Sequence, residues 1–178
     1  MNEKIITDIS LEMGFCAAKI IDTDKIVFDF GFRKYCEENR CGNYRFNYSC
    51  PPACGSPERL REEVLYYKNA LVLRSQCKIE DFSQSDIIED AKKLHNGTML
   101  KLKEKLTEMG CTGKILGAGP CTLCTPCNMS RGMPCKHPDS RYSCLSAYCI
   151  NVLDLAEKCG MEYTYKDGIL YFFGVYVF

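Results

Sequence analysis

The sequence predicts an α+β protein: one mixed β-sheet of about five strands with helices packed on it, carrying two cysteine-rich loops. Three observations lead there. Apolar, β-branched runs of strand length alternate along the chain with segments of helical periodicity. Turn and capping residues separate them at short intervals. Two stretches, residues 36–54 and 121–135, are too rich in Cys, Gly and Pro for regular structure. At 178 residues the chain is expected to be a single domain, spanning 1–178.

In order along the chain, residues 2–13 read as a short helix. FCAAKII, 15–21, has strand character, and Asp22-Thr23-Asp24 is a turn. KIVFDF leads into GFRKYCEENR, a short helix that brings Cys36 to its end. Residues 41–57 hold two Gly and three Pro and read as irregular. Ser56-Pro57 then starts a helix to about residue 68, with Ser as cap and Pro at the first helical position. ALVLRSQCKI, 70–79, is a buried strand. Ser85 is expected to cap a long amphipathic helix with the stripe Ile87, Ile88, Ala91, Leu94, Met99, Leu102 and Leu106. Gly97 marks a place for a kink and Gly110 the end of that helix. GKILGAG, 113–119, is a strand running into the second cysteine stretch. SCLSAYCINVLDLAEKCG, 143–160, reads as one helix stopped by Gly160. MEYTY and ILYFFGVYVF flank Lys166-Asp167-Gly168, a hairpin signal.

Composition narrows the function. Lys+Arg and Asp+Glu both number 23, which argues against a nucleic-acid binder. No apolar run approaches the ~18 residues of a membrane span. The opening MNEKIITDISLEMGF lacks the basic and apolar regions of a secretory signal, so a cytoplasmic location is expected. In that reducing setting, fourteen cysteines point to metal binding or redox chemistry over disulfides.

Cys121, Cys124, Cys127 and Cys135 form C-x2-C-x2-C-x7-C. Two-residue spacers turn successive thiolates inward from a loop that curls round a cubane, and a distant cysteine closes the fourth corner. Bacterial ferredoxins use C-x2-C-x2-C with a further cysteine followed by proline for their clusters. Structural zinc sites more often use two separated knuckles, and zinc is the alternative. A thioredoxin-type pair at Cys121/Cys124 is disfavoured because Pro126 blocks a helix start after the motif. Arg131, Lys136, His137 and Arg141 stand nearby to offset thiolate charge.

Cys36, Cys41, Cys50 and Cys54 form C-x4-C-x8-C-x3-C, a second site or a contribution to the first. Arg33, Lys34, Arg40 and Arg45 supply positive charge, and Tyr44, Phe46 and Tyr48 are candidates for an apolar wall. Cys16, Cys77, Cys111, Cys149 and Cys159 are read as packing residues, and Cys144 as the reserve ligand.

The motifs C-x4-C-G-x-Y, C-P-P, C-x2-C-x2-C and P-C-[basic]-x-P occur here in one order, in FRKYCEENRCGNY, CPPACGSPE and LGAGPCTLCTPCNMSRGMPCKHP, ahead of YSCLSAYCINV. Together they resemble a family of predicted metal-binding proteins, domain of unknown function 2284, over roughly residues 5 to 176. The resemblance implies cysteine-bound metal and no particular reaction. It carries over Cys36, Cys41, Cys50, Cys121, Cys124, Cys127 and Cys135. Cys54 falls outside the pattern, and Tyr48 stands where the family often has Trp.

The function expected is therefore a cytoplasmic iron–sulfur protein with one or two [4Fe–4S] clusters and a redox protein as partner. The alternatives are a zinc-binding scaffold and an iron–sulfur enzyme whose cluster keeps an open corner. Hydrolase and nucleotide motifs are absent: neither His95 nor His137 sits in a catalytic context, and GAGP is no phosphate loop.

Overall fold

A computed structural model describes residues 2–178. Five strands form one mixed sheet: β1 (Ala17–Asp22), β2 (Asn69–Lys78), β3 (Lys114–Gly117), β4 (Ser143–Cys144) and β5 (Ile169–Val177), in the order β1-β2-β5-β3-β4. All neighbours are antiparallel except β3 and β4. The α-helices are α1 (Glu3–Glu12), α2 (Arg33–Glu37), α3 (Pro57–Leu65), α4 (Ser85–Glu108) and α5 (Val152–Cys159); all but the short α2, which buries no residue, pack on the sheet. Among the described residues no helix is long and apolar enough to cross a membrane.

The sheet is buried on both faces. Strand side chains alternate sides, so Ala70 and Val72 of β2 join Leu60 and Val64 of α3 and Leu155 of α5 in one core. Leu71 and Leu73 join Ile6 of α1 and Met99, Leu102 and Leu106 of α4 in the other. At Gly174 of β5 the long helix crosses the strand so closely that a Cβ would collide with Met99 Sδ and His95 Nε2. Two α4 side chains therefore occupy the space a larger residue would need.

The expected elements before residue 80 are present, and Ser56 Oγ accepts from Arg59 N–H as an N-cap. Five later expectations are corrected. Ser85 is the first residue of α4, not its cap, and Gln84 precedes it without a side-chain capping bond. Ile87 and Leu94 face solvent, Leu94 at 73% exposure, because the buried stripe runs through His95, Asn96, Met99, Leu102 and Leu106. Gly97 does not interrupt the helix.

Residues 143–160 are not one helix. Ser143 and Cys144 pair with β3, Ile150 bridges Phe28, and Cys149 is buried at φ 57°. Leu145, Ala147, Tyr148, Cys149 and Ile150 are all buried, with Ser146 the one exposed residue of 143–150, so this stretch lacks the broad polar face of a surface helix. The helix begins only where Asn151 Oδ1 accepts from Asp154 N–H.

MEYTY is not a strand. The turn it predicts is real, with Asp167 at φ 53° and Gly168 at φ 75°, but the arm separates after the single bridge Lys166–Ile169. Arg74 Nη1 donates to Glu162 O, and the Glu162 carboxylate takes the Thr164 N–H, so the ladder groups of that arm are used elsewhere.

Candidate metal centre

Parallel strands cannot be joined by a tight turn; the connection needs a dozen or more residues and is usually a helix. Here the β3–β4 connection, residues 118–142, is instead the first cysteine loop. Its one regular piece is a 3-10 turn, Asn128–Arg131, that follows Cys127.

Side chains from the rest of the fold hold this loop. At its entrance Asn96 of α4 donates to Ala118 O at 2.7 Å and accepts from Ala118 N–H at 2.9 Å. Gly117 must be glycine, since a Cβ there would stand 2.6 Å from Asn96 Oδ1 and 2.7 Å from the Tyr142 ring. The Cys121 N–H donates to Ser49 Oγ at 2.9 Å, and Asn47 Nδ2 donates to Cys121 O at 3.0 Å. Ser49 donates in turn to Asn47 Oδ1, and both residues are buried. Near the far end Tyr48 donates to Met133 O and Asn128 to Pro134 O. The two cysteine loops are thus stitched together through Asn47, Tyr48 and Ser49.

Cys121, Cys124, Cys127 and Cys135 are all half-buried. Burial pushes the Cys121 thiol up, backbone hydrogen bonds at Leu123 and Tyr142 favour its thiolate, and the charges of Cys124 and Cys135 push it up again. The charges of Cys124 and Cys135 thus reach the Cys121 thiol. Cys127 opens the 3-10 turn, where its carbonyl accepts from Ser130 N–H and Oγ.

The second loop gathers more thiols than its four. Cys36 comes from α2, and Cys54 follows Cys50 by one turn, its N–H donating to Cys50 O. Cys50 is buried, which pushes its thiol up to about 12; the Ser49 hydroxyl opposes this, and the charges of Cys144, Cys41 and Cys54 reinforce it. Cys144 on β4 reaches about 11 through burial, opposed by the Ala147 N–H at 3.4 Å from Sγ and reinforced by Cys36, Cys54 and Cys41. The charge of the reserve residue Cys144 thus acts on Cys50, and those of Cys36, Cys54 and Cys41 act on Cys144.

Arg33 is the cation of this group. Burial raises Cys36 and Cys54, and Arg33 is the largest influence opposing it at both. Its Nη2 donates to Ala147 O at 3.0 Å, while its Nε is buried without a partner. The other expected cations are engaged elsewhere: Lys34 lies over Tyr35, Arg40 pairs with Glu38 and Arg45 lies over Tyr44. Arg141 lies over Tyr48 and also lowers Cys54, so it belongs with the second group as much as the first. Arg131, Lys136 and His137 are exposed. Phe46 is 55% exposed, which removes it from the expected apolar wall. Cys149 is not on a helix; it borders Cys36 and Arg33 from a buried turn.

Among the described residues no three His, Cys, Asp or Glu side chains converge tightly enough to hold a single ion as they stand. The donor sets are nevertheless all-thiol, which suits zinc or iron–sulfur centres and not a hard oxygen-seeking cation. The charge of four thiolates also fits a group with Arg33 held inside it. All fourteen cysteines are free thiols. Nothing in the sequence marks Asn47, Ser49, Asn96 or Tyr142, because a lone Asn, Ser or Tyr outside a motif carries no signal of its partner.

A family model described as predicted metal-binding protein (domain of unknown function 2284) matches residues 19–176. No curated protein and no solved structure matches the chain.

Proposed function

The chain belongs to this family of predicted metal-binding proteins, and from that premise we propose that it is a cytoplasmic iron–sulfur protein with an electron-transfer or redox-accessory role. The observation that carries the reading is the first loop. A C-x2-C-x2-C-x7-C segment replaces a crossover helix, and the thiols of Cys124 and Cys135 bear on that of Cys121. Cys121, Cys124, Cys127 and Cys135 would hold one [4Fe–4S] cluster. Cys36, Cys41, Cys50 and Cys54, with Cys144 beside them, would hold a second centre.

A cysteine-bound cluster supplies one-electron redox chemistry, its potential set by charge, hydrogen bonds and exposure. The protein's own contribution is legible residue by residue. Arg33 brings positive charge to the second group, the Ala147 N–H points at Cys144 Sγ, and backbone hydrogen bonds favour the Cys121 thiolate. Such contacts stabilise thiolate over thiol and tune a bound metal.

The test is purification without oxygen followed by iron, sulfide and zinc quantification. Iron and sulfide in equal amounts, with a brown absorption, support the reading. Stoichiometric zinc with no iron or sulfide, before and after reconstitution, overturns it in favour of a zinc scaffold.

A further inference from the structure

The edge of β5 that faces β3 is open for half its length. Asn69 and Phe178 exchange both backbone hydrogen bonds at 2.9 Å. In an antiparallel ladder the bonded pairs alternate, so the even-numbered residues of β5 bond to β2 and the odd-numbered ones face the other edge. On that edge β3 covers only Val175–Val177. Continuing the register of Lys114 with Val177 and Leu116 with Val175 would set Ala118 against Phe173.

That pair does not form, because the Asn96 amide takes both the N–H and the C=O of Ala118. The next partner, opposite Tyr171, would be Pro120, which has no N–H to give. From the other direction the 161–165 arm separates after Lys166 and leaves the same edge uncovered. The backbone groups of Tyr171 and Phe173 are left without a strand partner.

A cavity of about 420 Å³ lies against this edge, within the ~300–1,000 Å³ of ligand sites. Leu170, Tyr171, Phe172 and Phe173 form one wall, Gly117–Gly119 another, and Phe82, Tyr163 and Val152 add apolar surface. Lys92 is its one charged lining residue and makes no ion pair among the described residues. The Lys92 stem passes Gly119, where a Cβ would stand 3.9 Å from Lys92 Cδ. A second cavity shares Phe82, Ile88, Lys92 and Ala118 and extends the space to Cys41 and Thr122.

We propose that this cavity is a docking site for the extended C-terminal tail of a partner protein, which adds as a short strand to the open edge of β5. The main chain of the tail bonds to Tyr171 and Phe173, its terminal carboxylate meets Lys92, and its last side chain enters the aromatic pocket. An open edge, apolar side-chain pockets and a cation together recognise an extended peptide ending in a carboxylate. Cys144 lines the same cavity, so the docked tail lies beside the second thiol group. That bearing on a metal centre rests on the function proposed above, whereas the docking does not.

The probe is the peptide Ac-Val-Thr-Val-Phe with a free carboxylate, titrated into the full chain and followed by backbone amide NMR. Its amidated form, a form N-methylated on its second Val, and 3-phenylpropanoate are the comparisons. The expected result is saturable binding of the free acid that shifts Tyr171 and Phe173. Amidation weakens it about tenfold, the equivalent of one charge contact, and N-methylation abolishes it. Lys92→Gln removes the difference between acid and amide. Ser146→Trp, a change at an exposed residue on the rim, blocks both. No saturable binding, equal binding of the N-methylated peptide, or equal binding of 3-phenylpropanoate overturns the proposal, the last by making this a small-molecule pocket. Peptide binding by a protein found to carry no iron or sulfide keeps the docking site and removes only its link to an iron–sulfur centre.

Discussion

Ser49 Oγ accepts the backbone N–H of Cys121 at 2.9 Å across 72 residues of sequence. Ser49 is fully buried and has its other bond to Asn47, so water cannot replace it without opening the joint between the loops. Ser49→Ala leaves the Cys121 N–H without its partner. A loss of about 1–3 kcal/mol is expected by chemical denaturation. Metal loss to a chelator should also quicken if the first loop is a site, because the first cysteine of its motif is no longer anchored. Unchanged stability and unchanged metal release would show that the joint does not matter.

The two thiol groups should empty separately. Cys121→Ser or Cys135→Ser is expected to remove about half the bound metal in a protein with two centres, and Cys36→Ser or Cys41→Ser the other half. Cys16→Ser is the control, since Cys16 is exposed beside Arg74 and remote from both loops in the chain. Metal-to-protein ratios of the purified variants read the result. Full metal content in Cys121→Ser would exclude the first loop as a site.

The difference between what could and could not be read from the sequence has a physical basis. Spacing within a loop is local, so Cys121, Cys124, Cys127 and Cys135 could be grouped as candidates from the sequence alone. The placement of Cys144 depends on β4 pairing with β3 across the whole cysteine loop, which no local pattern encodes. Residues 143–150 misled because apolar residues at helical spacing were buried on all sides, where tertiary contacts outweigh propensity. The hairpin turn at Asp167-Gly168 was legible from its residues, but whether its first arm stays paired was decided by Arg74, 88 residues from Glu162.

Gly174→Ala is expected to destabilise the protein by about 2–3 kcal/mol, the cost of forcing a well-packed contact apart. The added methyl group meets Met99 and His95 on α4, both of them buried. Met99→Ala in the same chain should restore part of the loss by making room, although alone it leaves a cavity. Denaturation midpoints of the two single variants and the double variant give the coupling. Strict additivity would mean that the helix shifts as a body and the local collision is absent.

His95 sets an acid limit on the fold. It is buried between Phe15 and Phe172, its Nδ1 lies 2.6 Å from Ser75 Oγ, and its Nε2 is buried without a partner. Burial holds its pKa down to about 4, from 6.5 when unfolded. Above pH 6.5 the ring is neutral in both states and the packing is intact. Below that the unfolded chain takes up a proton that the folded chain refuses, so stability falls as the pH drops. The slope is roughly 1.4 kcal/mol per pH unit, or about 3 kcal/mol by the time the folded ring protonates near pH 4. His95→Gln, whatever its stability at neutral pH, should lose this contribution to the slope between pH 6.5 and 4 because glutamine does not titrate. Urea unfolding across that range compares the two, and an equally steep decline in the variant would assign the acid sensitivity to other groups.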